Sequence, residues 1–167
     1  RRRRRWGYLA LILGLILLVA PFARARIIQT DRVNLVSEDL PADIGHLRVV
    51  YLSDVHYGFF FSDTQLASLV NAVNSLRPDL VLFGGDMGDS PEAAVRFYEK
   101  LPSIHARYAM LGVLGDKDRG GDNLQRDKVT EAMRNAGVTP LVNAVSPVRV
   151  GTSMIYGAGL DDWQAGA

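Results

Sequence analysis

The sequence predicts an α/β domain built around a parallel sheet, because a strand-like apolar run ending in an aspartate occurs three times. The aspartates Asp54, Asp86 and Asp116 are 32 and 30 residues apart, close to the length of a β-α-β unit. Parallel strands joined by helices place all their carboxyl ends at one edge. The three apolar runs are Val49–Leu52, Leu80–Gly85 and Tyr108–Gly115.

That edge is the predicted functional site. Asp54 and His56 follow the first strand and are two positions apart, so in an extended segment their side chains point the same way. A single aspartate after a strand more often caps a helix or serves a turn. Three in register, one of them paired with a histidine, instead indicate a metal site at this edge, and Asp54 and His56 form its first half.

The amino-terminal segment has the composition of a membrane anchor. Trp6–Phe22 is 17 residues without a charge. As a helix it would extend about 26 Å, slightly less than a bilayer core. Five arginines precede it and two follow it, which predicts a transmembrane helix with a cytoplasmic amino terminus over 1–26. The alternatives are a cleaved signal peptide ending at 23–25 and a twin-arginine export signal, and all three place the body outside the cytoplasm.

The rest of the chain divides into a linker, 27–46, and a domain, 47–167. Within the linker, Arg32–Val36 has the composition of an edge strand. In the domain, Val49–Leu52 is expected to be a strand buried on both faces. Ser62, Ser90 and Asp122 are each expected to precede a helix, and the last of these helices is predicted to run to about Asn135.

Composition excludes several classes of function. After Ile27 there are 12 basic and 18 acidic residues, a formal charge of −6, which does not suit a nucleic-acid-binding surface. The sequence contains no cysteine, so thiolate zinc sites, disulfides and a cysteine nucleophile are excluded.

Three motifs resemble those of the calcineurin-like metallophosphoesterases, in particular their exported, membrane-anchored bacterial members. The motifs are Asp54-x-His56, Gly85-Asp86-x-x-Asp89 and Gly115-Asp116-Lys117-Asp118, and the resemblance covers about Leu47–Asp162. It implies an α/β/β/α sandwich and two divalent ions of manganese, iron or zinc, which activate water for attack on a phosphoester.

The resemblance also implies roles for individual residues. Asp54 and His56 would hold the first ion, Asp86 would bridge both ions and Asp116 would hold the second. Asp89 would contact the metal ligands without binding an ion itself. Asp116, Lys117 and Asp118 would form the catalytic third motif.

The third motif departs from the family pattern. Lys117 stands where the family has a histidine that protonates the leaving group, and Asp116 stands where it has asparagine. The family's later histidine ligands lie beyond residue 167 or do not exist, since the only histidines in the sequence are His46, His56 and His105. We therefore expect this chain alone to hold one ion or none.

Two hypotheses follow. The chain is the amino-terminal part of a metal-dependent phosphoester hydrolase, anchored in the bacterial inner membrane with its domain outside the cytoplasm and in contact with membrane lipid. Alternatively, it is a catalytically silent accessory subunit of a membrane protein complex. A haloacid-dehalogenase-type phosphatase is disfavoured, because that motif needs a second aspartate where His56 stands.

Overall fold

The computed structural model describes residues 12–15, 17–18, 28–59 and 61–161. The chain divides into two units at the boundary between Leu35 and Val36. In the first unit, residues 12–15 and 17–18 are helical. The remainder of the predicted anchor, the arginine run and the alternative cleavage site at 23–25 lie outside the described residues. Among the described residues, no helix combines the length and the apolar character needed to cross a bilayer.

The second unit contains a parallel sheet, as predicted. Its four described strands lie side by side in the order of the sequence. They are β1 (Val49–Leu52), β2 (Leu80–Phe83), β3 (Ala109–Gly112) and β4 (Thr139–Pro140). The register pairs Val50 with Val81 and Leu82 with Leu111, so the carboxyl ends of the first three strands meet at one edge.

Helices cover one face of this sheet. They are α1 (Asp63–Ser75), α2 (Pro91–Lys100), α3 (Asp116–Arg119) and α4 (Asn123–Asn135). The three long helices begin directly after Ser62, Ser90 and Asp122, as the capping pattern predicts. Their apolar residues pack with Val81 and Phe83 in one core.

A two-stranded antiparallel sheet covers part of the other face. It consists of β5 (Ala144–Val150) and β6 (Ser153–Gly159). Val148 and Val150 of β5 pack with Leu80 and Leu111 of the parallel sheet in a second core. The described chain therefore has three layers: helices, parallel sheet and antiparallel hairpin.

Two expectations about strands are wrong. Arg32–Val36 is described and forms no strand, and Leu35 is 90% exposed, because no neighbouring strand pairs with this segment in the described chain. The strand β1 is not buried on both faces, since Val49 and Tyr51 are 45% and 64% exposed. It lies at the edge of the sheet, and the hairpin packs against β2 and β3 instead.

Candidate metal centre

The loops after β1 and β2, residues 53–59 and 84–90, run side by side at the carboxyl edge of the sheet. The amide of Asp54 donates to the carbonyl of Gly85 at 3.0 Å, and the amide of His56 donates to the carbonyl of Asp86 at 3.1 Å. These bonds extend the parallel pairing beyond the ends of both strands. The backbone itself therefore fixes the position of one loop relative to the other.

Asp54, His56 and Asp86 all adopt left-handed backbone conformations. Their φ angles are 54°, 50° and 54°. Such conformations cost about 1 to 3 kcal/mol each in non-glycine residues, and aspartate and histidine adopt them more often than most. The expectation that Asp54 and His56 lie in an extended segment is therefore wrong, although the two residues do converge. They are brought together by two left-handed turns instead of by the alternation of a strand.

The side chains of these three residues form a group with the geometry of a metal site. One ligand atom from each lies within 4.8 Å of the others. Asp54 is exposed, and His56 and Asp86 are partly buried, so the group opens to solvent. Two carboxylates and one imidazole suit a divalent transition metal better than calcium, which prefers oxygen ligands alone. The donor set therefore fits a divalent transition metal ion.

Asp89 supports His56 from the neighbouring loop. The Nδ1 atom of His56 lies 3.2 Å from Oδ1 of Asp89. A carboxylate on one imidazole nitrogen fixes the tautomer and the orientation of a metal-binding histidine. In this arrangement Nε2 of His56 is the nitrogen left for an ion.

The carboxylate of Asp86 lies between the second and third loops. Its Oδ1 accepts a hydrogen bond from the amide of Lys117 at 3.0 Å. Burial raises the pKa of Asp86, and the neighbouring carboxylate of Asp116 raises it further, against the lowering effects of the Lys117 amide and of His56. A nearby cation would offset this accumulation of negative charge.

Asp116 and Lys117 lie beside the three-residue group, not within it. Asp116 is the first residue of α3, and its Oδ2 pairs with Nζ of Lys117 at 2.8 Å. The pKa of Asp116 is lowered, first by the Lys117 hydrogen bond and then by a hydrogen bond with Asp86. The same pairing raises the pKa of Lys117. The third loop therefore places both the carboxylate of Asp116 and the ammonium group of Lys117 close to Asp86.

Asp118 lies in the interior of the domain. Its side chain is 0% exposed, and it accepts hydrogen bonds from three backbone amides. The donors are Met87 at 3.2 Å, Gly88 at 3.0 Å and Gly115 at 3.3 Å. Burial raises the pKa of Asp118, and these amides oppose that shift. This predicted catalytic residue therefore connects the second loop to the third, and its carboxylate is not exposed to solvent.

Two glycines allow the second and third loops to approach closely. Gly85 has a φ of +94°, and a Cβ atom there would lie 2.5 Å from the amide nitrogen of Gly115. A Cβ atom on Gly115 would overlap Oδ1 of Asp86. The close approach at Gly115 was not among the predictions, although a Gly-Asp pair after two different strands, Gly85-Asp86 and Gly115-Asp116, was a signal for it.

Comparisons with known proteins place these motifs in context. No family model matches the chain. It is 30% identical over 171 aligned positions to the zebrafish (Danio rerio) "Transmembrane protein with metallophosphoesterase domain", an alignment that covers 96% of this chain and 38% of the relative. It is 26% identical over 105 residues to the uncharacterized metallophosphoesterase YkuE of Bacillus subtilis, covering 61% of this chain and 37% of the relative.

A third relative has a more specific name. The chain is 32% identical over 95 residues to UDP-2,3-diacylglucosamine pyrophosphatase LpxG of Chlamydia trachomatis, covering 52% of this chain and 28% of the relative. Across these three proteins, the chain spans between 28% and 38% of the length of its relatives.

Proposed function

Because this chain belongs to the calcineurin-like metallophosphoesterase family, we propose that its carboxyl-edge loops hold a divalent ion in a membrane-anchored phosphoester hydrolase. The convergence of Asp54, His56 and Asp86 within 4.8 Å supports this function most strongly. Three residues with left-handed backbone whose side chains converge are costly for folding, and such strain is concentrated at functional sites. Manganese, iron and zinc all suit the donor set.

Each residue would have a distinct role toward the ion and the phosphoester. Asp54, Asp86 and Nε2 of His56 would hold the ion, and Asp89 would keep the imidazole oriented through Nδ1. Bound there, a divalent ion supplies Lewis acidity toward water and phosphate oxygens. Asp116 would add a carboxylate on the far side of Asp86, and Lys117 would offer a positive charge to the phosphate. Asp118 would position the loops without touching substrate.

Hydrolysis of bis(p-nitrophenyl) phosphate with added Mn²⁺ tests this function. We expect turnover by the full-length protein that Asp86→Asn reduces by about 100-fold or more, since the variant loses an anionic ligand. Asp127→Asn is the matched control, because Asp127 is an exposed carboxylate whose ion pair in the described part of the chain is with Arg126 on α4. Turnover that survives in Asp86→Asn, or that falls equally in the control, would contradict the proposal.

Membrane anchoring is the second part of the proposal. The uncharged segment Trp6–Phe22, the arginines before it and the transmembrane relatives support it. We expect the residues after Ile27 to lie outside the cytoplasm of a bacterial cell. Protease added to intact spheroplasts should digest this body, and digestion only after lysis would reverse the topology.

One observation favours a catalytically silent protein as the alternative. Nζ of Lys117 pairs with Asp116 at 2.8 Å, and this raises the pKa of the lysine. A lysine with a raised pKa is a poor proton donor to a leaving group at neutral pH. If the protein binds Mn²⁺ through Asp86 but does not hydrolyse phosphoesters, a role as the accessory subunit of a membrane complex takes precedence.

A further inference from the structure

A cleft of about 600 Å³ opens next to the candidate metal centre. One side is formed by the end of the β1 loop and the start of α1, and the other by the start of α2. Asp89 lines the cleft and also contacts Nδ1 of His56. The cleft therefore reaches the centre through a residue that supports one of its ligands. Its volume is within the range of small-molecule sites.

The acidic residues of the cleft are already engaged. Asp63 accepts a hydrogen bond from the hydroxyl of Tyr57 and pairs with Nζ of Lys100 at 2.8 Å. These two partners lower the pKa of Asp63. Asp89 pairs with His56. A ligand would consequently meet little uncompensated negative charge along this lining.

The cleft also presents a cation. Arg96 on α2 lines it, and in the described part of the chain no hydrogen bond or ion pair to its guanidinium is found. The pKa of Glu92, one turn earlier, is lowered first by hydrogen bonds from its own amide and from Ser90, and only then by the charge of Arg96. A guanidinium binds carboxylate and phosphate oxygens in a planar, two-pronged geometry. Arg96 is thus suited to an oxygen-bearing group at the end of the cleft.

The remaining lining combines aromatic side chains with hydroxyl-bearing and small residues. Phe59 and Phe61 line the cleft, and Phe59 is 90% exposed. An aromatic ring exposed at a cleft offers apolar area that a bound ligand can cover. An aromatic ring favours an apolar or planar group stacked against it.

We propose that this cleft is the specificity subsite of the phosphoesterase, and that it takes an apolar, aromatic-type organic group whose far end carries an anionic or hydrogen-bond-accepting oxygen for Arg96. The inference rests on the proposed function, because the phosphoryl end of the same ligand would occupy the metal centre. Phe59 and Arg96 would determine which phosphoesters bind, without taking part in the hydrolysis.

Calorimetric titration with non-hydrolysable phosphonates tests the subsite. The full-length protein with Mn²⁺ is titrated with methylphosphonate, phenylphosphonate and 4-carboxyphenylphosphonate. We expect phenylphosphonate to bind about tenfold more tightly than methylphosphonate, because burial of a ring adds apolar contact. We expect the carboxyl group to add about another fivefold to tenfold through Arg96.

Single substitutions separate the two contributions. Phe59→Ala should remove the preference for the ring, and Arg96→Gln should remove the gain from the carboxyl group while leaving the ring preference. Leu124→Ala is the control for Phe59, since Leu124 is a large apolar residue of α4 that is 65% exposed and does not line the cleft. It should change neither preference.

The outcomes distinguish the subsite from the proposed function. If methylphosphonate binds, requires Asp86, and phenylphosphonate binds no better, the subsite is refuted and the metal centre stands. A ring preference that persists in Phe59→Ala also refutes it. If no phosphonate binds in the presence of Mn²⁺, both the proposed function and the subsite fail.

Discussion

The loops after β1 and β2 and the loop after β3 use similar acidic residues in different ways. In the first two, Asp54, His56 and Asp86 take left-handed conformations that leave their side chains at the open edge of the sheet. In the third, the chain enters α3 three residues after the strand, and the carboxylate of Asp118 turns inward onto three backbone amides. An aspartate near the end of a strand can therefore belong to the candidate metal centre or act as a structural anchor, according to the backbone that follows the strand.

Removing the anchor should have the largest effect on stability. Asp118→Ala leaves the amides of Met87, Gly88 and Gly115 without their acceptor in the interior. We expect a loss of about 3 kcal/mol or more in the free energy of unfolding, because each buried donor left unpaired is costly. Urea unfolding without metal measures it. Asp116→Ala is the control, since that carboxylate is exposed and should matter little to stability. Equal losses of stability in the two variants would contradict the structural role given to Asp118.

Gly115→Ala tests how closely the two kinds of loop must pack. Its Cβ atom would overlap Oδ1 of Asp86, so the variant must move a ligand to relieve the overlap. We expect a loss of about 1 to 3 kcal/mol in stability, together with weaker Mn²⁺ binding. Gly121→Ala is a matched control, because nothing lies within 4 Å of the added atom. A Gly115→Ala variant that binds Mn²⁺ like the wild type would show that the close approach does not serve the centre.

Asp89→Asn tests the support of His56. The amide can no longer hold the imidazole as a carboxylate does, so Mn²⁺ affinity should fall by about 10- to 100-fold. Stability without metal should hardly change, since both partners are half-exposed. Electron paramagnetic resonance of free Mn²⁺ gives the affinity. An unchanged Mn²⁺ affinity would mean that Asp89 lines the cleft without supporting the metal-binding role of His56.

Lys117→Ala should have the smallest effect of these variants, a small increase in Mn²⁺ affinity. The lysine pairs with Asp116 and adds positive charge beside Asp86. Its removal should strengthen Mn²⁺ binding by less than about fivefold, the range expected of an exposed ion pair. Weaker binding in this variant would indicate that Lys117 organises the centre instead of opposing the ion.

Much of the fold was predictable because its signals are local. The apolar run of β2 and the capping residues Ser90 and Asp122 are adjacent to the elements they define. The strand expected over Arg32–Val36 fails, because β-branched residues alone do not supply a pairing partner. The exposure of β1 could not be predicted from local sequence either, because it depends on which strands the distant β5–β6 hairpin covers.

The residues of the candidate metal centre were predicted from the sequence, but their backbone conformation was not. The positions of Asp54, His56 and Asp86 along the sequence indicated that they would meet. Their left-handed backbone is imposed by hydrogen bonds between two loops about 30 residues apart, as from Asp54 to Gly85. The interior position of Asp118 was not predictable either, because its partners are backbone amides, which every residue type except proline carries.

Mn²⁺ affinity of wild type and Asp86→Asn, measured together with thermal unfolding in the absence of metal, tests the metal centre most directly. The amide can still accept the Lys117 hydrogen bond, and it removes the charge whose burial raises the pKa of Asp86. We predict that the variant binds Mn²⁺ at least about 100-fold more weakly, because losing a direct ligand costs more affinity than losing a residue that only orients one, as Asp89 does. Its unfolding temperature should be unchanged or higher. Equal Mn²⁺ affinity in the two proteins would contradict the assignment of these loops as a metal centre.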